Sequence, residues 1–338
     1  MKTAYLSEIG QVLVKDLDIP EIQDNEILIK VNCAGICGSD VHAYHGHHPF
    51  RKPPMVLGHE VVGEVSKLGG EVTGISIGDR VTVEPLKGCG TCLYCLRGEY
   101  NLCKTRVSAG TNGWLGAMAE FFVAPADKVY VLPASMEYQV GLLAEPLAVG
   151  VHAVELSEIG ESENILIVGT GPIGLLTGVA AQAKGAKNIY CTDINDFRLG
   201  FAQSLGLQTI NVNKQSIKEV TEETVPDGFD VVFLAVTSKE AVEQALTYVQ
   251  YGGKIVVITI FTSEIPFNMG FLQEREIEVK GSMVYTKPDF ELALKILSDR
   301  GEDMKRFITH QVPIEDVNEA MQVITSPKNE VIKMAVYP

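Results

Sequence analysis

The chain has 338 residues, 46% hydrophobic and 21% charged, with a formal net charge of −15 at pH 7. That length exceeds one comfortable hydrophobic core and predicts two domains. So acidic a chain repels phosphate backbones, which excludes nucleic acid and anionic membrane as partners.

The opening MKTAYLSEIGQ has no long apolar segment behind a basic one, and no run of about 18 uncharged apolar residues follows. The expectation is a cytoplasmic chain without signal peptide or membrane span. Its seven cysteines must then act without stable disulfides, so clustered ones point to metal or catalysis.

The first 135 residues or so read as short β segments broken by glycine and proline, such as EILIKVNCAG, HEVVGEVSKLG and AEFFVAPADKVYVLP. This texture predicts an all-β, barrel-like region. Three chemical motifs interrupt it. CGSDVHAYHGHH, from Cys37 to His48, places one cysteine among four histidines. Gly58-His59-Glu60 follows a proline-rich turn. Cys89-Gly-Thr-Cys92-Leu-Tyr-Cys95, with Cys103 shortly after, brings four thiols together. Short CxxC steps let backbone amides turn toward the sulfurs, and four sulfurs suit a closed tetrahedral zinc site that holds a loop in shape. An iron–sulfur cluster is the alternative at this point.

SMEYQVGLLAEPLAVGVHAVEL has apolar residues at helical spacing, with Ser135 as a candidate cap. It carries Glu145-Pro146. Cys37, His59, Glu60 and Glu145 thus offer one sulfur, one imidazole and two carboxylates, and a catalytic zinc needs three protein ligands and an open position.

From Asn164, apolar strands alternate with helices: NILIVG, GLLTGVAAQAKG, NIYCTD, DFRLGFAQSLG, DVVFLAV, SKEAVEQALTYVQYGG, KIVVITI. This predicts a parallel, doubly wound sheet. Gly169-Thr170-Gly171-Pro172-Ile173-Gly174 lies between the first strand and its helix and fits a dinucleotide loop. The first glycine permits the turn, the second lets pyrophosphate approach, and the third lets helix and strand pack. Asp193 ends the next strand, where a carboxylate accepts hydrogen bonds from the adenosine ribose and repels a 2′-phosphate. The expected cofactor is therefore NAD. Arg198 lies over the adenosine side or is a solvated helix residue. The tail, from about Tyr285, holds one helix and two short strands and returns to complete one of the domains.

On GICGSDVH, LGHE, the four-cysteine knuckle, AEPLAV, GTGPIG and Asp193, the chain resembles the zinc-dependent medium-chain dehydrogenases, in their sorbitol (polyol) dehydrogenase-like branch. The resemblance implies a GroES-like β-barrel catalytic domain (1–149 and 286–338) and a Rossmann NAD-binding domain (150–285). It implies two zinc ions per subunit, one catalytic and one structural. Cys37 and His59 would bind the catalytic zinc, with Glu60 and Glu145 completing the set directly or through water, and Cys89, Cys92, Cys95 and Cys103 would hold the structural one. Asp40 would orient the zinc histidine, and Ser39 and His42 would relay the proton. His45, His47 and His48 would rim the active-site mouth or be exposed. Tyr44, Trp114, Glu145 and Tyr285 would face the substrate.

Two departures bear on substrate. Val284 stands where sorbitol dehydrogenases carry an arginine, and the loop Asn112–Ala117 replaces a common Asp-Gly-Gly-Phe. The implied reaction is oxidation of a secondary hydroxyl of a polyol, sugar alcohol or sugar acid by NAD. A 2,3-butanediol- or L-threonine-type dehydrogenase, and a non-enzymatic NAD-binding protein, are the alternatives. A homo-oligomer, tetramer or dimer, is expected.

Overall fold

A computed structural model describes residues 1–111, 113–326 and 330–338, and the backbone alone of Glu302. Asn112 of the departing loop lies outside the described residues. The chain forms two compact units, Met1–Glu145 with Leu297–Pro338, and Pro146–Ile296.

The first unit is built on a seven-stranded sheet. Val129–Val131, Arg80–Val83, Glu60–Leu68, Glu26–Gly35, Lys333–Tyr337 and Ile308–Pro313 lie side by side, and Phe121–Pro125 also pairs with Glu26–Gly35. The two tail strands belong here: Ala335 pairs with Gly35 and Val336 with Ala34. A second, three-stranded sheet joins Gln11–Asp16, Lys2–Glu8 and Met55–Val56. Inward residues of the long strands, among them Ile27, Ile29, Val61, Val65, Val81 and Phe122, make one core. This is the barrel-like region that the β-branched alternation predicts.

The second unit is a six-stranded parallel sheet. Its order is Gln208–Asn211, Asn188–Asp193, Asn164–Val168, Phe229–Leu234, Val249–Val257, Glu278–Gly281. Numbered by chain position this is 3-2-1-4-5-6, and the order reverses after the central strand Asn164–Val168, where open α/β sheets bind ligands. The glycine loop leaves that strand. Apolar runs such as NILIV bury on both faces, as strands covered by helices must.

Ser135 does not cap a helix. Met136 N–H donates to Pro133 O at 2.9 Å, so the serine sits inside a proline-initiated turn, and Glu137 precedes the helix Tyr138–Gly141. The stretch Tyr138–Ser157 is long and apolar enough to cross a membrane, but 78% of its apolar window is buried, as in a core helix.

Candidate metal centre and dinucleotide loop

The short helix Gly38–Tyr44 follows the strand Glu26–Gly35 and presents the cysteine motif at its start. The turn Gly58-His59-Glu60 enters the strand Glu60–Leu68, whose Glu60 pairs with Gly35. Gly58 has φ +92°, and a Cβ there would meet Met118 N at 2.8 Å, so only glycine fits this turn. These two turns bring Cys37, His59 and Glu60 together, with ligand atoms all within 4.8 Å of one another. His59 and Glu60 are buried, at 7% and 0% exposure.

Glu60 lies over Gly35, where a Cβ would come within 1.8 Å of Oε2. Its Oε1 accepts from Lys333 Nζ at 2.5 Å, while buried Oε2 has no hydrogen-bond partner among the described residues. A carboxylate oxygen in that state costs free energy. A thiolate, an imidazole and this oxygen form a donor set that suits zinc, so the residues fit the metal. Glu145 lies on the first turn of the helix Ala144–Ser157 and is 6% exposed. It stands outside the set of three, yet near enough for its charge to act on Lys333.

Asp40 is fully buried and heavily engaged. It accepts from Cys37 N–H (3.1 Å), Gly58 N–H (3.2 Å) and Arg51 Nη1 (3.2 Å), and lies 3.7 Å from His59 Nδ1. Burial would push its carboxyl up, but His59, Arg51 and the Cys37 amide hold it well below the usual range. Burial and Arg51 press the His59 imidazole down, yet Asp40 and Cys37 raise it well above 6.5. The same negative charges favour a metal ion, which competes with the proton for a ring nitrogen.

Ser39 Oγ is buried without a hydrogen-bond partner among the described residues. His42 lies one turn on, half-buried, its pKa lowered by burial and by His47 and His45. His45 and His47 are exposed, as expected. His48 is not: it is 2% exposed, its ring edge-on to Phe50 at 4.5 Å. Its Nδ1 accepts from Arg51 N–H at 3.1 Å and Phe50 N–H at 3.4 Å, so the turn draws it in. Tyr44 and Tyr285 are also buried, at 4% and 0%. Tyr44 packs among Ala43, Leu57 and Met321, and Tyr285 lies 5.7 Å from Phe290. Neither ring offers the open face expected of a pocket wall. Trp114 stacks on Phe122 and donates to Val123 O at 2.8 Å, and borders a cavity of about 320 Å³ with Phe50, Met55 and Leu115.

The four knuckle sulfurs also lie within 4.8 Å of one another. Cys89–Cys95 and Cys92–Cys95 Sγ distances are 3.9 and 3.6 Å. Zn–S bonds of about 2.3 Å in a tetrahedron give sulfur edges of about 3.8 Å, so the knuckle fits a zinc ion. Cys92 N–H points at Cys89 Sγ (3.3 Å) and Cys89 N–H at Cys103 Sγ (3.4 Å). The Thr91 amide and hydroxyl and the Cys92 amide pull the Cys89 thiol down to about 5, which readies it as a thiolate.

In the second unit Gly169 has φ +100°, and a Cβ on Gly174 would come within 1.9 Å of Gly169 O. The third glycine thus lets helix and strand meet. A Cβ on Gly171 would meet nothing within 4 Å, leaving open space at the start of the helix Pro172–Ala183, where a phosphate is favoured. Ile173 is on that helix's first turn. Asp193 Oδ2 accepts from Thr170 N–H (2.9 Å) and Thr170 Oγ1 (2.8 Å), and Oδ1 from Ile194 and Asn195 N–H (2.8 and 3.0 Å). All of the carboxylate's roughly four lone-pair sites are therefore used. Of these donors only the threonine hydroxyl can rotate away to admit a ribose. Arg198 is on the next helix, its amide held by Asn195 Oδ1 at 3.2 Å.

Lys333, Arg51 and His48 are the site residues that sequence reasoning missed or misplaced. The available signal was a lysine inside the apolar run VIKMAV, which, once buried, demands a counter-charge.

Comparison with known proteins gives the family and the fold. Residues 23–134 match the alcohol dehydrogenase GroES-like domain, and residues 172–299 the zinc-binding dehydrogenase domain. Sorbitol dehydrogenase of Bacillus subtilis is 34% identical, over 100% of this chain and 97% of that protein. D-xylulose reductase A of Aspergillus niger is 36% identical over 96% and 93%. Among solved structures, a zinc-binding dehydrogenase of Sinorhizobium meliloti bound to NADP superposes with TM-score 0.91 at 29% identity, covering 100% of this chain and 99% of that one. An Escherichia coli alcohol dehydrogenase in complex with NADH gives 0.92 at 26%, with coverage of 100% and 99%.

Proposed function

Because the chain belongs to the zinc-binding dehydrogenases with a GroES-like alcohol dehydrogenase domain, we propose that it oxidises a secondary hydroxyl of a polyol, sugar alcohol or sugar acid, with NAD as the hydride acceptor. The observation that carries this is the convergence of Cys37, His59 and Glu60 within 4.8 Å, beside a Glu60 oxygen that has no hydrogen-bond partner among the described residues. Bound zinc supplies Lewis acidity that makes a substrate hydroxyl acidic, and the nicotinamide supplies the hydride acceptor.

The chain's own residues do the rest. Cys37, His59 and Glu60 hold the metal, with Glu145 as a nearby carboxylate. Asp40 orients His59. Ser39 relays the hydroxyl proton, giving up its own as it accepts, and His42, a neutral imidazole with its pKa lowered by burial and by His47 and His45, passes it out to solvent. Gly169, Gly171, Ile173 and Gly174 receive the pyrophosphate. Asp193 receives the adenosine ribose once the Thr170 hydroxyl turns aside, and its negative charge disfavours a 2′-phosphate. Arg198 flanks the adenosine. Tyr44 and Trp114, in the first unit, shape the substrate region through packing. Cys89, Cys92, Cys95 and Cys103 hold a second, structural zinc.

Relatives named for sorbitol, a polyol, and for xylulose, a keto sugar, support the substrate class. We further propose a cytoplasmic homo-oligomer, tetramer or dimer. In its favour, the outermost strand Glu278–Gly281 of the parallel sheet has a neighbour on one side among the described residues, and its Val279 is 40% exposed.

The test is NADH formation by purified protein with polyols, sugar acids, vicinal diols and L-threonine, each with NAD or NADP and with or without a zinc chelator. A chelator-sensitive rate with NAD and a polyol is the expected result. Turnover confined to a small diol or threonine would replace the substrate class. Bound NAD without turnover of any alcohol would overturn the enzymatic reading.

A further inference from the structure

Arg51 is buried, at 4% exposure, and the chemistry described above does not use it. Its planar fork joins two segments: Nη1 donates to Asp40 Oδ1 at 3.2 Å and Nη2 to Ala109 O at 2.9 Å. Space for it is reserved. Gly110, at φ +72°, has no side chain, and a Cβ there would sit 3.2 Å from Arg51 Nη1. Burying a guanidinium is unfavourable unless charge and donors are met. A lysine, with its single point of charge, could not span both acceptors in this way.

What Arg51 grips matters more than the ion pair. Asp40 accepts from Cys37 N–H and Gly58 N–H and faces His59. The backbone of one metal-ligating residue and the neighbour of another therefore hang on this carboxylate. Whatever fixes Asp40 fixes the distance between the two. Arg51 is itself fixed from behind: its amide donates to His48 Nδ1 at 3.1 Å, and His48 N–H donates to His42 O at 3.1 Å. A continuous line of polar contacts runs from His48 through Arg51 and Asp40 to Cys37 and His59.

We propose that Arg51 and His48 are positioning residues of the Cys37–His59–Glu60 metal centre, acting through Asp40. This rests on reading that cluster as a metal centre. It also accounts for a buried histidine in the histidine-rich segment: His48 serves as a neutral acceptor for the turn that aims Arg51, not as a ligand.

The experiment follows zinc leaving the intact, zinc-loaded protein into a chromogenic chelator, with metal analysis before and after. It compares wild type with Arg51→Met, Arg51→Lys, His48→Leu and His48→Asn. Asparagine keeps an acceptor attached to Cγ, where histidine has Nδ1; leucine does not. Wild type should hold two zinc ions that leave in separable phases. Groups that orient metal ligands typically change affinity by about 10–100-fold. Arg51→Met should therefore release the non-knuckle zinc about 10–100-fold faster, with the knuckle phase unchanged and Arg51→Lys in between. His48→Leu should speed the same phase, and His48→Asn should restore it. Cobalt substitution adds a spectrum that reports the ligand geometry without turnover, and Arg51→Met should shift it.

Unchanged release in Arg51→Met and His48→Leu, with two zinc ions in wild type, overturns this inference alone. Equal acceleration of both phases overturns it too, since that signals general loosening. A wild-type chain that binds zinc only at the knuckle overturns the metal-centre reading and this inference with it. Should Arg51→Met fail to fold, Arg51→Lys and the His48 pair still decide.

Discussion

Lys333 Nζ donates to Glu60 Oε1 at 2.5 Å and to Ile36 O at 3.3 Å, both from full burial. The lysine thus ties the strand Lys333–Tyr337 to the carbonyl just before Cys37 and to one oxygen of Glu60, while the other oxygen has no hydrogen-bond partner among the described residues. Burial would depress its pKa, but Glu60, Cys37 and Glu145 hold it above 10.5. Lys333→Met leaves Glu60 buried without a counter-charge, which should cost about 3–5 kcal/mol. A raised lysine pKa gives stability that is fully present below 10.5 and lost only at more alkaline pH. The wild-type pair therefore stays charged through the neutral range. Urea unfolding of the chelator-treated protein measures the penalty, and Glu60→Gln in the Lys333→Met background should recover most of it. A variant that unfolds at the wild-type urea midpoint would sink the argument.

The knuckle has no open coordination position, so its loss should damage structure more than chemistry. Its lobe is anchored independently: the Tyr100 hydroxyl donates to Glu84 Oε1 at 2.5 Å, and Lys128 Nζ lies 4.1 Å above the Tyr100 ring. Cys103→Ser should bind one zinc fewer and become sensitive to proteolysis between Cys89 and Cys103. The surviving folded fraction should keep its kcat within about tenfold, because the knuckle carries no reacting group. A larger kcat loss at full folding would assign the knuckle a catalytic part.

The parts of this site legible in the sequence are those whose chemistry is local. Four cysteines at short steps, a glycine-rich strand-to-helix loop and His59-Glu60 carry their meaning within a few residues. The parallel, doubly wound sheet followed from apolar strands alternating with helices. Lys333 was illegible because its partner Glu60 is 273 positions away, and a lysine in a strand reads as easily as an edge residue. His48 was misplaced for a related reason. Among four histidines in one segment, composition cannot say which the turn buries, and the turn is set by Arg51 and Asp40. Tyr44 and Tyr285 are buried, and the sequence could not show this because an apolar ring with a polar tip suits a core as well as a surface.

The hydrogen bonds around Asp193 make a specific prediction for cofactor binding. Thr170 Oγ1 occupies an acceptor site that a ribose hydroxyl needs. Thr170→Val removes that competitor and keeps the amide bond, and should lower the KM for NAD by about two- to tenfold, the worth of one modest hydrogen bond. Asp193→Ala should lower kcat/KM for NAD and raise the NADP/NAD ratio, since the charge opposing a 2′-phosphate is gone. Steady-state kinetics with both cofactors decides. A Thr170→Val enzyme with raised KM would mean that the threonine assists the ribose.

His48 sets a pH dependence. Burial, then Arg51 and His42, lower its pKa from 6.5 to about 4. The unfolded chain therefore takes up this proton first as pH falls. The stability from burying neutral His48 is fully present above 6.5 and is lost between 6.5 and about 4. His48→Asn should flatten the stability profile over that window and leave its slope unchanged above it. Unfolding midpoints of the two proteins across this range provide the check. A difference between them that does not vary with pH would refute the assignment.

Val284 has φ +54°, a left-handed backbone that a β-branched residue adopts at a cost of about 1–2 kcal/mol. It follows the carboxyl end of the outermost strand Glu278–Gly281, on the side of the parallel sheet that also carries the glycine loop. Its neighbours hold it there. Ser282 N–H donates to Val257 O at 2.8 Å, and Thr286 donates to Asp289 Oδ2 through N–H and Oγ1 at 2.7 and 2.6 Å. That same oxygen lies 2.9 Å from His152 Nδ1. Such strain persists where the surroundings over-determine it, and it clusters at functional sites. Val284→Gly relieves the strain but adds about 0.5–1 kcal/mol of chain entropy to lose on folding. The variant should therefore be equal to wild type or up to about 1.5 kcal/mol more stable, while its loop moves more freely and kcat/KM falls. Val284→Ala keeps a Cβ in the left-handed region and should gain no stability. Thermal unfolding and kinetics on the best polyol test both. If glycine leaves kcat/KM untouched, the strained valine serves the fold and not the reaction.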